Sequence, residues 1–227
     1  MTRRALLIHG LSSSSQTWWR VAPALEADGW EVVAPDLRGH GSAARADRYT
    51  FADYASDLPE GPWDLIIGHS LGGAVAVVAA QAGATSRLIL LDPVLEVAAD
   101  EFEAVKADQL TELELTIEKI RAEKPHWDSH DHELKIAAVG QADRSAVERT
   151  FTDNPRWSVV AEAKSLTMPT LILGADHRVY SMLSAETADA VVAANPLVSY
   201  RVLEGSGHSP HRDLPDETIA AIRAFVA

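Results

Sequence analysis

Gly68-His69-Ser70-Leu71-Gly72-Gly73 is the stretch that decides the fold of this 227-residue chain. It follows the short apolar run Leu65-Ile66-Ile67 and opens a run of small residues, Ala74 to Ala82, that suits a helix. Strand, tight turn with a central serine, then helix is the order that lifts a serine hydroxyl clear of a sheet edge. Side chains beside such a turn would collide, so Gly68 and Gly72 flank Ser70, and Gly73 lets the helix pack close. A serine here would also serve as a plain helix N-cap in a βα turn. The rest of the chain decides between the two readings.

Outward from that stretch, residues 4–8 read as a buried strand that ends at His9-Gly10. Residues 11–16 form a polar loop. Thr17 caps a helix from Trp18 to about Asp28, stopped by Gly29. Trp30 to Ala34 is a second buried strand leading into Pro35 to Gly41. Residues 50–58 suit a short helix ended by Pro59, Gly61 and Pro62. Further strands fall at residues 64–68, 87–91, 169–173 and 198–203, with helices over 183–194 and 215–226. The last helix has Pro215 in its first turn and Ile219, Ile222, Phe225 and Val226 as its buried stripe. Near-continuous Val/Ile/Leu runs separated by helices predict a mainly parallel sheet of about six strands, covered on both faces.

From Leu95 to Lys164 no strand pattern appears. Leu110, Leu113, Ile117 and Ile120 recur at helical spacing as far as Pro125, and a second helical stretch runs from about Glu133 to Phe151. The division that follows is an α/β core over residues 1–94 and 165–227, with a helical cap over 95–164 that leaves the sheet beside the serine unit. His126, Asp128, His130, Asp131 and His132 have spacings that could hold a metal. With no cysteine in the chain and a turn-like context after Pro125, they read instead as a solvated polar loop, and no metal site is expected.

The formal net charge of −13 disfavours nucleic acid and anionic membrane surfaces as partners. No segment approaches membrane-spanning length, and the first apolar run is too short for a signal peptide, so a cytoplasmic protein without membrane insertion is the expectation. The absence of cysteine leaves neither disulfides nor thiolate chemistry.

Four motifs, taken together and in order, resemble the α/β-hydrolase superfamily, in its lid-bearing esterase, lipase and C–C-hydrolase branch. They are His9-Gly10 after the first strand, Asp36-Leu37-Arg38-Gly39-His40-Gly41, the elbow Gly68 to Gly73, and Gly205-Ser206-Gly207-His208-Ser209-Pro210. The resemblance covers nearly the whole chain outside the helical segment. It implies the α/β-hydrolase fold with Ser70 as nucleophile, His208 as base and Asp176 as orienting acid. The backbone N–H groups of Leu11 and Leu71 would form the oxyanion hole. Asp92, after the fourth strand, is the alternative acid that some branches use. His211 is the lesser candidate for the base, and His69 packs away from the nucleophile. Asp36 and Arg38 read as a structural ion pair, and Trp18 and Trp19 as packing beside an acyl pocket or in the core. The family usually places two strands before the one ending in His-Gly. Here only residues 1–3 precede it, so six strands are expected, with residues 30–34 at a sheet edge that leaves a homodimer open.

The leading function is a serine hydrolase that cleaves a carboxylic ester or lactone of a small or medium molecule through an acyl-enzyme, with no cofactor. C–C cleavage or a lyase step by the same triad is the second enzyme reading. Small-ligand binding without catalysis is the third. An aspartate-nucleophile chemistry is disfavoured because Ser70 occupies the elbow.

Overall fold

The computed structural model describes residues 2–227. Six strands form one parallel sheet: β1 (Arg3–Ile8), β2 (Trp30–Val33), β3 (Leu65–His69), β4 (Leu88–Leu91), β5 (Thr170–Gly174) and β6 (Val198–Val202), in the order β2-β1-β3-β4-β5-β6. Every pairing is parallel, and the register places His69 of β3 beside Leu91 of β4 and Leu91 beside Leu173 of β5. All the carboxyl ends therefore open at one edge, and the loops that leave them can meet.

Each strand buries alternate residues on opposite faces. Leu6, Ile8, Ile66, Leu88, Leu90 and Ile172 face one half of the core. They meet helices α2 (Phe51–Ser56), α3 (Leu71–Gln81), α8 (Val160–Lys164) and α9 (Ala185–Ala194). Ala5, Leu7, Leu65, Ile67, Ile89 and Leu91 face the other half, against α1 (Val21–Ala27) and α11 (Pro215–Val226). The helix expected from Trp18 is shorter in the structure. A 3-10 turn covers Ser15–Trp18, and α1 begins only at Val21.

β2 lies at one edge, as its sequence position implies. The edge is short and blunted: Glu31 pairs with Arg4, and the Arg3 guanidinium lies 4.3 Å over the Trp30 ring. Among the described residues no helix is long and apolar enough to cross a membrane.

Between β4 and β5 the chain forms α4 (Phe102–Glu112), α5 (Ile117–Glu123), α6 (Ser129–Gln141), α7 (Arg144–Thr152) and then α8. Each of the two helical stretches expected from the sequence is divided. Thr116 accepts a hydrogen bond from the Lys119 amide and starts α5. Asp143 accepts one from the Ser145 amide and starts α7, while its own amide donates to Gly39 O. Side-chain caps of this kind end one helix and begin the next. α4 packs on α7 and α5 on α6, whereas α8 packs on α3 and α9.

The loop 36–41 is held differently from the ion pair expected. Asp36 accepts from the Ser15 and Ser42 amides and from the Ser42 hydroxyl. Arg38 instead donates to both oxygens of Asp57, at 2.6 and 2.7 Å. Asp36 thus ties two loops together through backbone donors, and its pKa falls to about 2. Burial opposes that charge, but the Ser15 and Ser42 hydrogen bonds outweigh it.

Candidate active site

Ser70 stands between β3 and α3 with φ 55° and ψ −121°, a conformation that side chains rarely adopt. The surroundings enforce it. A Cβ on Gly72 would lie 2.3 Å from Ile8 O, and one on Gly68 would lie 2.3 Å from Gly72 O. The helix can therefore start this close to the sheet only because those positions are glycine. Ser70 N donates to Leu91 O, and Ser70 O accepts from the amides of Gly73 and Val94. The turn is tied to β4 as well as to its own helix.

His208 comes from the loop after β6. Its Nε2 accepts from Ser70 Oγ at 3.0 Å, and its Nδ1 donates to Asp92 Oδ2 at 2.6 Å. The acid that the structure brings to the histidine is thus Asp92, the residue after β4. This corrects the expectation of Asp176. Leu91 lies beside His69 in the sheet, so the next residue emerges one strand from the serine; φ of 35° at Asp92 turns it towards the site. Asp92 is fully buried and accepts also from Ala175 N, Ser181 Oγ and Met182 N. Burial works against its charge, but the bonds from His208, Ser181 and Ala175 prevail and hold its pKa below the usual value.

Asp176 is occupied elsewhere. Both its oxygens receive the Arg178 guanidinium, at 3.0 and 2.7 Å, and Oδ1 also accepts the Arg178 amide. Oδ2 further accepts from Gly205 N, and Asp176 N donates to Ser206 O. The Arg178 bonds, with the amide of Gly205, hold this carboxylate well below its usual range. Asp176 clamps the loop that carries His208 and does not touch the imidazole.

Leu11 and Leu71 both line the cavity beside Ser70, where an oxyanion would need its donors. His69 donates from Nε2 to His208 O at 2.7 Å, fixing His208 by its backbone. His211 lies 4.7 Å from the His69 ring and shares a 2.7 Å hydrogen bond with the Thr17 hydroxyl. Burial pushes the pKa of both rings well below the ordinary imidazole value, so both are neutral rings packed beside His208 at the cavity. Trp18 stacks on His211 at 4.9 Å, and Trp19 donates to Asp131. Neither lines the cavity.

The cavity over Ser70 measures about 340 Å³. One wall is the strand ends; the other comes from α4, α5, α6 and the α4–α5 link, through Val105, Ile120, Lys135 and, in the link, Leu115. Among the charged residues that line it, two are buried, Lys135 and Arg212, and neither was singled out in the sequence. Lys135 Nζ donates to Ser12 O at 3.0 Å and pairs with Glu112 at 2.8 Å. Arg212 lies in the turn α10 (Pro210–Asp213), four residues after His208. Their burial depends on helices that pack over them from far along the chain, which no local pattern announces.

The residues 126–132 do not form the solvated loop expected. Asp128 caps α6, and Asp131 and His132 are buried inside it. His126 bonds Asp213, and His132 bonds Lys124 O. Among the described residues no three of His, Cys, Asp and Glu converge as a metal would require.

Comparison with known proteins bears on this geometry. The chain is 26% identical to pyrrolizixenacetamide deacetylase of Xenorhabdus hominickii, a match spanning 97% of this chain and 90% of that protein. It is 37% identical to Lipase LipV of Mycobacterium tuberculosis over 99 residues, which is 40% of this chain and 37% of that protein. The solved structure of E-2-(acetamidomethylene)succinate hydrolase superposes with a TM-score of 0.85 at 22% identity, over 99% of this chain and 91% of that one. A family model, that of the alpha/beta hydrolase family, matches residues 5–221. Sheet order, strained serine and family model agree, and the chain belongs to the alpha/beta hydrolase family.

Proposed function

We propose that this hydrolase is a serine enzyme acting on a carboxylic ester or lactone of a small or medium molecule, through an acyl-enzyme at Ser70. The observation that carries the reading is the unbroken relay from Ser70 Oγ through His208 to Asp92, at 3.0 and 2.6 Å, opening on a cavity of about 340 Å³. Ser70 Oγ attacks the carbonyl carbon while His208 Nε2 takes its proton. The imidazolium is steadied by Asp92, and the oxyanion by the amides of Leu11 and Leu71. His208 then returns the proton to the leaving alkoxide. Water attacks the acyl-enzyme by the same route and releases the acid.

An amide of a small acyl group is the second reading. Its support is the Xenorhabdus relative, named a deacetylase, whose match spans nearly the whole chain. The two readings share the acyl-enzyme and differ in the leaving group. The helices over residues 95–164 act as a lid in both, because α4, α5 and α6 supply the wall that faces the serine.

A panel of p-nitrophenyl esters graded in chain length, with lactones and p-nitroacetanilide alongside, tests this. Wild type should turn over at least one class, and Ser70→Ala none. Turnover of anilide without ester would favour the amide reading. No turnover of any class, by folded protein, would oppose both.

A further inference from the structure

A second feature of the cavity is a charge the acyl chemistry does not use. Arg212 lines it while only 5% exposed. Its Nε has no hydrogen-bond partner, and the carboxylate it pairs with, Asp131 Oδ1, stands 3.8 Å away, beyond hydrogen-bond range. Asp131 in turn takes the Trp19 indole N–H at 2.9 Å and does not itself line the cavity. The guanidinium lies 5.0 Å from the Trp127 ring, whose own N–H is anchored on Asp213 Oδ1 at 2.6 Å. The side chain is thus held in place from behind by charge and from one side by an aromatic face. Guanidinium stays protonated in a protein, and a buried charge without hydrogen-bond acceptors is costly.

The cavity is also lined by Asp108, Glu112 and Glu123 and by three lysines. Lys135 is taken by Glu112 and Ser12 O, Lys119 lies 3.9 Å from Glu123, and Lys124, only half-buried, has its ammonium 5.9 Å from the Trp127 ring. Asp131 Oδ2 is itself buried and without a partner, but no acceptor lies within hydrogen-bond range of the guanidinium. Arg212 thus combines burial, a planar fork of donors and a fixed position in α10, four residues after His208. A carboxylate fits such a fork by two parallel bonds. We propose that Arg212 is the anchor for a carboxylate on the substrate, so that the molecule hydrolysed is an ester or amide that also carries a free acid group. The proposal rests on the hydrolase reading for its chemistry and adds the class of molecule. A cavity of about 340 Å³ then holds one small acyl compound with its acid directed at Arg212 and its carbonyl at Ser70.

The test uses matched pairs that differ only in that charge. Mono-4-nitrophenyl adipate and its methyl ester place the acid on the acyl side. 4-Acetoxybenzoate and methyl 4-acetoxybenzoate place it on the alcohol side. Wild type should prefer the anionic member of one pair in kcat/KM. In Arg212→Met the anionic-to-neutral ratio for that pair should fall by about 30-fold or more, the worth of a buried charge-assisted bond. Arg212→Lys, a point charge without the fork, should fall between. A ratio unchanged in both variants, or a wild type indifferent to charge in both pairs, overturns the proposal.

Binding gives a readout without turnover. Ser70→Ala should bind monomethyl adipate by calorimetry more tightly than dimethyl adipate, and Ser70→Ala with Arg212→Met should not distinguish them. Failure of Ser70 to react with a fluorophosphonate would count against the hydrolase reading alone, since the calorimetry still decides the anchor.

Discussion

Ser12, Ser70 and Asp92 lack the freedom of glycine, yet they carry φ of 51°, 55° and 35°. They follow β1, β3 and β4, three adjacent strands whose carboxyl ends meet at the cavity. Backbone strain of this sort costs about 1–3 kcal/mol per residue and persists where the surroundings over-determine it. At Ser70 and Asp92 it presents the two side chains that sandwich His208. Asp92→Asn should therefore lose about 10⁴ in turnover on a responsive substrate while remaining folded, because the imidazole loses its orienting charge. Asp176→Asn should keep turnover of the wild-type order and lower the melting temperature, because it loosens the clamp on the 205–206 backbone. Steady-state kinetics and circular dichroism on both variants separate the two aspartates.

The meeting of Ser70 and His208 was legible in the sequence, since each sits in a glycine-rich turn after an apolar run. The carboxylate that bonds His208 was not, because two aspartates follow strands and spacing alone favours neither. A local sign existed: Arg178 stands two residues after Asp176, within reach of both its oxygens.

His9 is fully buried, accepts from Leu37 N at Nε2 and donates to Gly10 O from Nδ1. Burial, with nearby His40, lowers its pKa to about 3. The folded state thus binds fewer protons than the unfolded state, whose histidine titrates near 6.5. The neutral ring contributes its full stability above about 6.5, and that contribution is lost as pH falls towards 3. His9→Gln should be less stable at pH 7 yet lose less stability between pH 7 and 5, read from urea midpoints at both values. An equal loss in both proteins would contradict this.

The elements of the core follow the sequence closely. Apolar runs became strands to within a residue or two, and the Pro215 helix runs as expected. The segment between β4 and β5 was legible as helical but not in its breaks. The caps at Thr116 and Asp143 act through single side chains inside otherwise periodic stretches. Two glycines give a contrast at this scale. Gly72→Ala drives a Cβ to within 2.3 Å of the β1 backbone and should destabilise strongly, by about 3 kcal/mol or prevent folding. Gly140→Ala, in α6 with open space around it, should stabilise by about 0.5–1 kcal/mol. Chemical denaturation of the two variants gives the comparison, and a tolerated Gly72→Ala would refute the close approach.

Across the whole molecule, the carboxyl edge of the sheet brings Ser70, Asp92 and His208 together from β3, β4 and the loop after β6. The helices between β4 and β5 supply the facing wall. Wall and sheet meet at Lys135, whose ammonium reaches Ser12 O after β1 while pairing with Glu112 of α4. This division predicts that the wall sets selectivity more than chemistry. Leu115→Ala, which enlarges the cavity from the helical side, should shift the preferred acyl chain longer in a graded ester panel with little change in melting temperature. An unchanged profile would detach the helical segment from substrate choice.

If Ser70 is the nucleophile of a relay through His208 to Asp92, a fluorophosphonate should label it at a rate that intact-mass measurement follows. A single adduct at Ser70 is expected in wild type and Asp176→Asn, a much slower one in Asp92→Asn, and none in Ser70→Ala. An adduct that persists in Ser70→Ala, or labelling slowed by Asp176→Asn and not by Asp92→Asn, would contradict that assignment.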